Sequence, residues 1–260
     1  MRDKFAKKSK KKKNKQSFWK KIGKWTGRFI LILFLLSVAV TLLYRWVNPP
    51  ITPLMLIRKT SDHVPINKEW VDMEHISSSL IASAIAAEDN RFLGHRGFDM
   101  GAIEKAMDER KSGKRKRGAS TISQQTAKNV FLWQKQSWFR KGLEVYFTVL
   151  IEAFWSKERI MEVYLNVIEM GNGIYGCEAA AQTYFKKSAK KLTPRESALI
   201  TACYPNPRKW NPAKPTPYLE SRATKIIALT KKIGKISFDK ESIQKAQQRY
   251  KKSREKAKEK

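Results

Sequence analysis

From Phe29 to Tyr44 the chain carries sixteen consecutive residues without a charge, bounded by Arg28 and Arg45. As a helix that run spans about 24 Å, against about 30 Å for a bilayer's hydrocarbon core. The flanking arginines can snorkel, and Trp25, Tyr44 and Trp46 supply interfacial aromatics, so the crossing can be completed by residues 25–47. A cleaved export signal shares the basic start and apolar core. The core here is long, however, and no small-x-small site precedes Arg45-Trp46, so an uncleaved anchor is expected. Residues 1–24 hold twelve Lys or Arg against Asp3 alone. They are expected to stay unfolded on the cytoplasmic side, which places everything after Arg45 outside it.

That topology decides how the charge is read. The formal net charge is +31, and the 25–238 stretch keeps +15 of it once both basic ends are set aside. Nucleic acid is the usual partner of such a balance, but an exported domain does not meet a genome. Anionic membrane lipids and a pyrophosphate-bearing lipid are the partners left. Cys177 lies among Gly176 and Ala179–Ala181, and Cys203 lies in an apolar stretch. Two buried free thiols are therefore expected, with a disulfide as the alternative. His63, His75 and His95 are too far apart in sequence for a local zinc site.

Residues 48–65, with Pro49, Pro50, Pro53 and Pro65, read as an extended tether. Beyond it the helical period dominates. Ile76, Leu80, Ala84 and Ala87 share one face; Leu143, Phe147, Leu150, Ile151 and Phe154 share another; Ile160, Val163, Tyr164 and Val167 mark a third. Thr193-Pro194-Arg195-Glu196 has the form of a capping box, and a last helix is expected around 218–233. A mostly α domain over 66–235 follows, and 236–260 is expected as a basic solvated tail or frayed helix. The run from Arg110 to Arg117, six cations and a glycine, should be a mobile loop.

Two stretches carry chemistry. Glu88-Asp89-Asn90-Arg91-Phe92-Leu93-Gly94-His95-Arg96-Gly97 puts a carboxylate at the end of an apolar, small-residue helix, the wrong end for the helix dipole. An exposed Glu paired with Arg91 is the plain structural alternative. Asp89 points about 100° away on a helix, so the two carboxylates do not share one site. The second stretch, Gly118-Ala119-Ser120-Thr121-Ile122-Ser123-Gln124-Gln125, is rich in hydroxyls and amides suited to sugar and phosphate oxygens. No His or Lys stands at a spacing that would make Ser120 a nucleophile.

These stretches resemble the first two signature motifs of the family 51 peptidoglycan glycosyltransferases, the second in every defined position. Arg140-Lys141-Gly142-Leu143-Glu144 is similar to the third motif, and Lys157-Glu158-Arg159-Ile160 through Tyr164-Leu165-Asn166 to the fourth, which reads more as scaffold. The fifth is a partial match, in which Arg222 carries over without its usual arginine neighbour. The motifs run in order over roughly 55–230 and look closest to the monofunctional branch. Too little chain follows for the serine transpeptidase of bifunctional relatives, and Ser188-Ala189-Lys190-Lys191 lacks a companion Lys-Thr-Gly.

The resemblance implies a lysozyme-like, mostly α glycosyltransferase domain with a smaller membrane-proximal lobe, preceded by one transmembrane helix. It implies catalytic roles for Glu88 and Glu144. Substrate contacts are implied for Asp89, Phe92, His95, Gly118, Ser120, Thr121, Gln124, Gln125, Lys128 and Asn129, and for Arg140, Lys141, Lys157, Asn166 and Arg222. The substrates would be lipid II and the growing lipid-linked glycan, with room for Mg²⁺ or Mn²⁺ at the pyrophosphate and for other cell-wall synthesis proteins as partners. Glu88 would be the general base for a sugar hydroxyl, while Lys128 and its neighbours meet the leaving pyrophosphate. Two alternatives compete. A membrane-anchored lysozyme-like hydrolase needs a protonated carboxylic acid, which a site crowded with cations does not favour. A basic membrane scaffold accounts for the charge but not for the motifs.

Overall fold

The computed structural model describes residues 2–113 and 118–259, and divides the chain into two compact units, Met1–Trp46 and Val47–Lys260. The first unit is one helix, α1, Arg2–Leu43. Its stretch Ile22–Leu43 is long and apolar enough to cross a membrane, 22 residues at a mean hydropathy of 2.2. At 1.5 Å per residue this gives about 33 Å, so the crossing begins earlier than the uncharged run alone indicates. The basic segment before it is helical, not unfolded as expected from its charge. Lysine is a good helix former, and extending an existing helix avoids the cost of a nucleus.

In the second unit the expected tether is replaced by a helix, α2, Pro53–Ser61. Thr52 caps it by accepting from Met55 N, and Pro53 takes the first helical position, where its fixed φ favours helix. Leu54 and Met55 are buried with Tyr175 and Ile66, and Lys68 Nζ donates to Pro49 O at 2.6 Å and Pro50 O at 3.0 Å. The proline-rich stretch thus has apolar side chains to bury, which a tether would not.

The remaining helices are α3 (Ser78–Glu88), α4 (Met100–Lys111), α5 (Ile122–Phe131), α6 (Trp138–Phe154), α7 (Lys157–Val167), α8 (Cys177–Phe185), α9 (Pro194–Ala202), α10 (Pro217–Ile233) and α11 (Lys240–Lys258). Strands β1 (Asn67–Lys68), β2 (Glu169–Gly171) and β3 (Ile174–Tyr175) form a small sheet in the order β1-β3-β2, with β1 parallel and β2 antiparallel to β3. The mostly helical expectation holds. Helices α3, α9 and α10 pack together around Ala86, Ala198, Leu199, Ala202, Leu219, Ala223 and Ile226; α5 packs between α6 and α7. Ile160, Val163, Tyr164 and Val167 are fully buried, and Thr193 and Glu196 form the expected capping box. Cys177 and Cys203 are free and buried, and burial pushes each thiol up to about 12. The expected mobile loop lies partly outside the described residues; Arg110 and Lys111 belong to the last turn of α4.

Of the two expectations for the C-terminal segment, a solvated tail or a frayed helix, the structure has the helix, α11, and it is docked on the domain. Asp239 caps α11 by accepting from Ser242 N at 2.8 Å, and the helix docks on the turn after α3 through Tyr250. The Tyr250 hydroxyl accepts from Met100 N at 2.9 Å and donates to Asp99 Oδ1 at 3.2 Å; Arg254 pairs with Glu104 at 2.8 Å. Gly94 lets the helix approach, since a Cβ there would lie 2.9 Å from Tyr250 Cβ. Tyr250 and the Arg254–Glu104 pair anchor the helix, which helix-forming Lys, Gln, Glu and Arg otherwise build.

Candidate active site

Helix α3 ends at Glu88 because Asp89 leaves helical geometry, at φ −160° and ψ 76°. The two carboxylates then part. Asp89 turns inward, where it meets His95 Nε2 at 2.9 Å and accepts from Ile122 N at 3.1 Å. Ile122 N is one of the unpaired donors that open α5, so a carboxylate there meets both a free N–H and the positive end of the helix dipole. Phe92 is fully buried behind this contact. Thr121 caps the same helix in a reciprocal box with Gln124, and its hydroxyl donates to Gly97 O at 2.6 Å. Gly97 sits at φ +84°, and a Cβ there would fall 2.8 Å from Thr148 Cγ2 on α6, so this loop can lie flat only with glycine. The two motifs read in the sequence are thereby clamped together at the start of α5. Replacing Thr121 by Ala removes the cap and the Gly97 bond, and should lower stability by about 1–2 kcal/mol in chemical denaturation at an unchanged m-value.

One turn into α5, Gln125 Nε2 donates to Glu88 Oε2 at 2.8 Å, while Gln125 Oε1 accepts from the Tyr164 hydroxyl at 3.3 Å. The amide therefore fixes the carboxylate from one side and is itself fixed from the other. Tyr164 is fully buried, and burial, followed by the nearby Glu88 charge, raises its hydroxyl well above the usual tyrosine range. Burial and Glu88 act in the same direction on Tyr204, which packs edge-on against Tyr164.

Gln125 and Lys128 stand on one face of α5, and both open onto a cleft of about 550 Å³ completed by Ser120, Gln124, Trp138, Arg140, Lys141 and Glu144. Ser137 caps α6, which begins at the cleft and sets Arg140 and Glu144 one turn apart. Arg140 Nη1 donates to Glu144 Oε2 at 2.8 Å, and Lys141 Nζ takes the other oxygen. Lys128 is lowered from the ordinary lysine value chiefly by burial, an effect that Arg140 and Lys141 reinforce and Glu144 and Glu88 oppose. The cleft thus joins three cations to a single carboxylate that two of them already hold.

The transglycosylase family profile matches residues 55–231, which contain every part of this cleft. The chain belongs to the transglycosylase family. It is 53% identical over 217 residues to the biosynthetic peptidoglycan transglycosylase of Bdellovibrio bacteriovorus, covering 82% of this chain and 87% of that one. The protein of the same description from Caulobacter vibrioides is 53% identical over 221 residues, 80% and 93% of the two chains. That from Bacteroides thetaiotaomicron is 48% identical over 241 residues, 90% and 97%.

Of the expected site residues, the transglycosylase places Ser120, Gln124, Gln125, Lys128, Arg140, Lys141 and Glu144 on the cleft, with Glu88 joined to it through Gln125. Gly118 is exposed just before Ser120. Others expected to touch substrate are occupied inside the protein. Asp89 and His95 hold each other, Phe92 has no exposed surface, and Thr121 is a cap. Asn129 is buried beside Gln134. Lys157 is buried, pairs with Glu152 at 2.7 Å, and lies 4.6 Å over the Phe92 ring. Asn166 ties down the chain before α3, donating to Val71 O and accepting from Val71 N, both at 2.9 Å. Arg222 is half-buried on α10, where its charge acts on the Cys203 thiol. Asp89, His95, Phe92, Thr121 and Lys157 support the start of α5 from behind. The sequence reading missed Trp138, 93% exposed at the lip of the cleft, and the part Tyr164 plays beyond packing. Trp138 carries no periodic signal, and its position is visible only once Ser137 is seen to cap α6.

A divalent cation fits this donor set poorly. Both Glu144 oxygens are taken by cationic side chains, and among the described residues no three His, Cys, Asp or Glu come together as ligands.

Proposed function

We propose that this transglycosylase polymerises lipid II into linear β-1,4 glycan on the outer face of the cytoplasmic membrane, with Glu88 as general base. The observation that carries the reading is the Glu88–Gln125–Lys128 arrangement: one carboxylate held by an amide at one end of a helical face, with a cation cluster one turn further on. The 4-hydroxyl of an acceptor sugar is a poor nucleophile, whereas a pyrophosphate is already a good leaving group. Glu88 takes the hydroxyl proton as that oxygen attacks the donor's anomeric carbon. The bond from that carbon to the pyrophosphate breaks, and the electron pair leaves on an oxygen faced by Lys128, Arg140 and Lys141. Attack opposite the leaving group converts an α-linked donor into a β-linked product. Undecaprenyl pyrophosphate is released.

Glu144 does not act as an acid in this scheme, because both of its oxygens accept from cations. It orients Arg140 and Lys141. A lysozyme-like hydrolase would need a carboxylic acid to protonate the leaving oxygen, and the cleft supplies cations in that place. A scaffold would need no amide relay to a carboxylate. The relatives' descriptions as biosynthetic peptidoglycan transglycosylases support the same choice. The twelve Lys and Arg of residues 1–24 support an amino end in the cytoplasm, by the positive-inside bias.

Labelled lipid II with the full chain in detergent tests the stereochemistry. Undecaprenyl pyrophosphate should be released in step with a product that a β-1,4-muramidase digests. A muramidase-resistant product, or carrier release without glycan, would overturn the mechanism.

A further inference from the structure

A second concavity, also about 550 Å³, lies between the turn that follows Glu88, the end of α10 and α11. Arg91, Lys232, Lys235, Lys245 and Arg249 line it, and no Asp or Glu among the described residues does. Arg91 is shared with Asp99 at 3.7 Å, and Lys245 pairs with Glu241. Lys232, Lys235 and Arg249 form no ion pair among the described residues. Gathering unpaired like charges in a hollow costs stability, and folding alone gives no reason for it. The floor is apolar, with Ile85, Leu93, Ile233 and Ile236 beneath the cations.

The helix that supplies Lys245 and Arg249 is fixed in place. Tyr250 bonds Met100 N and Asp99, and Arg254 pairs with Glu104, so the cations are held against the turn. Helix α11 lies wholly beyond the family match at residues 55–231, and eleven of the seventeen residues lining this hollow fall outside that region. Asn90 and Arg91, on its other wall, are the second and third residues after Glu88. Two trans peptide links place the Asn90 Cα within about 8 Å of the Glu88 Cα. The wall of the hollow and Glu88 therefore belong to one short segment of chain.

We propose that this groove binds the carboxylates of the short peptide carried on the glycan substrate. The inference rests on the lipid II polymerase reading, which brings a peptide-bearing sugar to Glu88. Free carboxylates match the unpaired cations, and short aliphatic side chains match the floor. A bilayer surface would meet the rim but not the floor of a hollow.

The test is titration of the free, fluorescently labelled stem pentapeptide into the full chain in detergent. The peptide binds the wild type, and the same peptide with its carboxylates amidated does not. Lys232→Ala/Arg249→Ala weakens binding about fivefold or more, the scale of about 1 kcal/mol for exposed charge pairs. Lys252→Ala, on an exposed position of α11 outside the groove, leaves it unchanged. With lipid II as substrate the double variant raises KM and keeps kcat. Equal peptide binding by wild type and double variant would overturn the proposal. So would loss of binding to anionic vesicles with peptide binding intact, which would assign the groove to the membrane. Peptide titration needs no turnover, so a wild type that bound peptide and left lipid II unpolymerised would overturn the polymerase reading instead.

Discussion

Glu88→Gln should lower lipid II polymerisation by about 10² to 10⁴-fold, the usual scale for removing a general base. The substitution keeps the side chain's size and its hydrogen bond with Gln125, since the new amide's own oxygen can accept from Gln125 Nε2 as the carboxylate does. What is lost is the proton acceptor. Lipid II binding should therefore persist while turnover falls, which a filter-binding or anisotropy measurement separates from the rate. A further substitution sharpens the assignment. Gln125→Leu leaves the carboxylate but frees it from the amide that holds it, so it should lower kcat by less than Glu88→Gln and leave KM nearly unchanged. Normal polymerisation by the Glu88→Gln enzyme would remove Glu88 from the reaction.

Lys128→Ala should lower kcat/KM by about 10²-fold or more, the scale of losing one preorganised donor to a developing anion. Burial lowers the Lys128 ammonium from the ordinary lysine value of 10.5, so in the free enzyme it loses its proton at a lower pH than an exposed lysine. The alkaline limb of kcat/KM should consequently begin below 10.5, and Lys128→Arg should push it to higher pH, because guanidinium stays charged. The sign for stability is opposite. A cation whose folded pKa is depressed disfavours folding at neutral pH, and that cost is relieved as pH rises from the folded value toward the unfolded one. Lys128→Met should therefore be impaired like Lys128→Ala yet melt at a higher temperature than the wild type near neutral pH. An unchanged alkaline limb in Lys128→Arg would assign it to another group.

The parts of the site that were legible in the sequence are those whose residue types have few structural uses. A glutamate closing a small-residue helix and a Gly-x-Ser-Thr-Ile run stand out, whereas Arg-Lys-x-x-Glu, alone an ordinary amphipathic helix start, was legible only through its resemblance to the family's third motif; the structure gathers Gln125, Lys128, Arg140, Lys141 and Glu144 on one cleft. The reading went astray where one residue type serves two purposes. Thr121, Asp89, His95 and Asn166 have polar side chains that bind sugars well, but they cap and staple backbone equally well, and burial decides between the uses. Gln124 does both, standing in the cap and at the edge of the cleft.

The fold shows the same pattern. Long apolar periodicities such as Ile160–Val167 were sufficient to place helices, since a 3.6-residue period has one physical cause. The prolines of 48–65 pointed to an extended tether and the lysines of 239–260 to a solvated tail or frayed helix, because their averages are helix-breaking or polar. Each segment instead folds on a few contacts that averages hide: Leu54 and Met55 in the first, Tyr250 in the second. In the first unit, the helix Ile22–Leu43 extends beyond the uncharged run because Lys24 and Arg28 can reach toward a headgroup region.

The most direct test of the central claim sets two substrates before one preparation of the full chain. Labelled lipid II and finished, uncrosslinked peptidoglycan are incubated side by side with wild type and with Glu88→Gln, and product length is read on a gel. The account predicts long glycan from lipid II with the wild type, nearly none with the variant, and finished strands left uncut by both. Shortening of the finished strands by the wild type, with lipid II left unpolymerised, would contradict it.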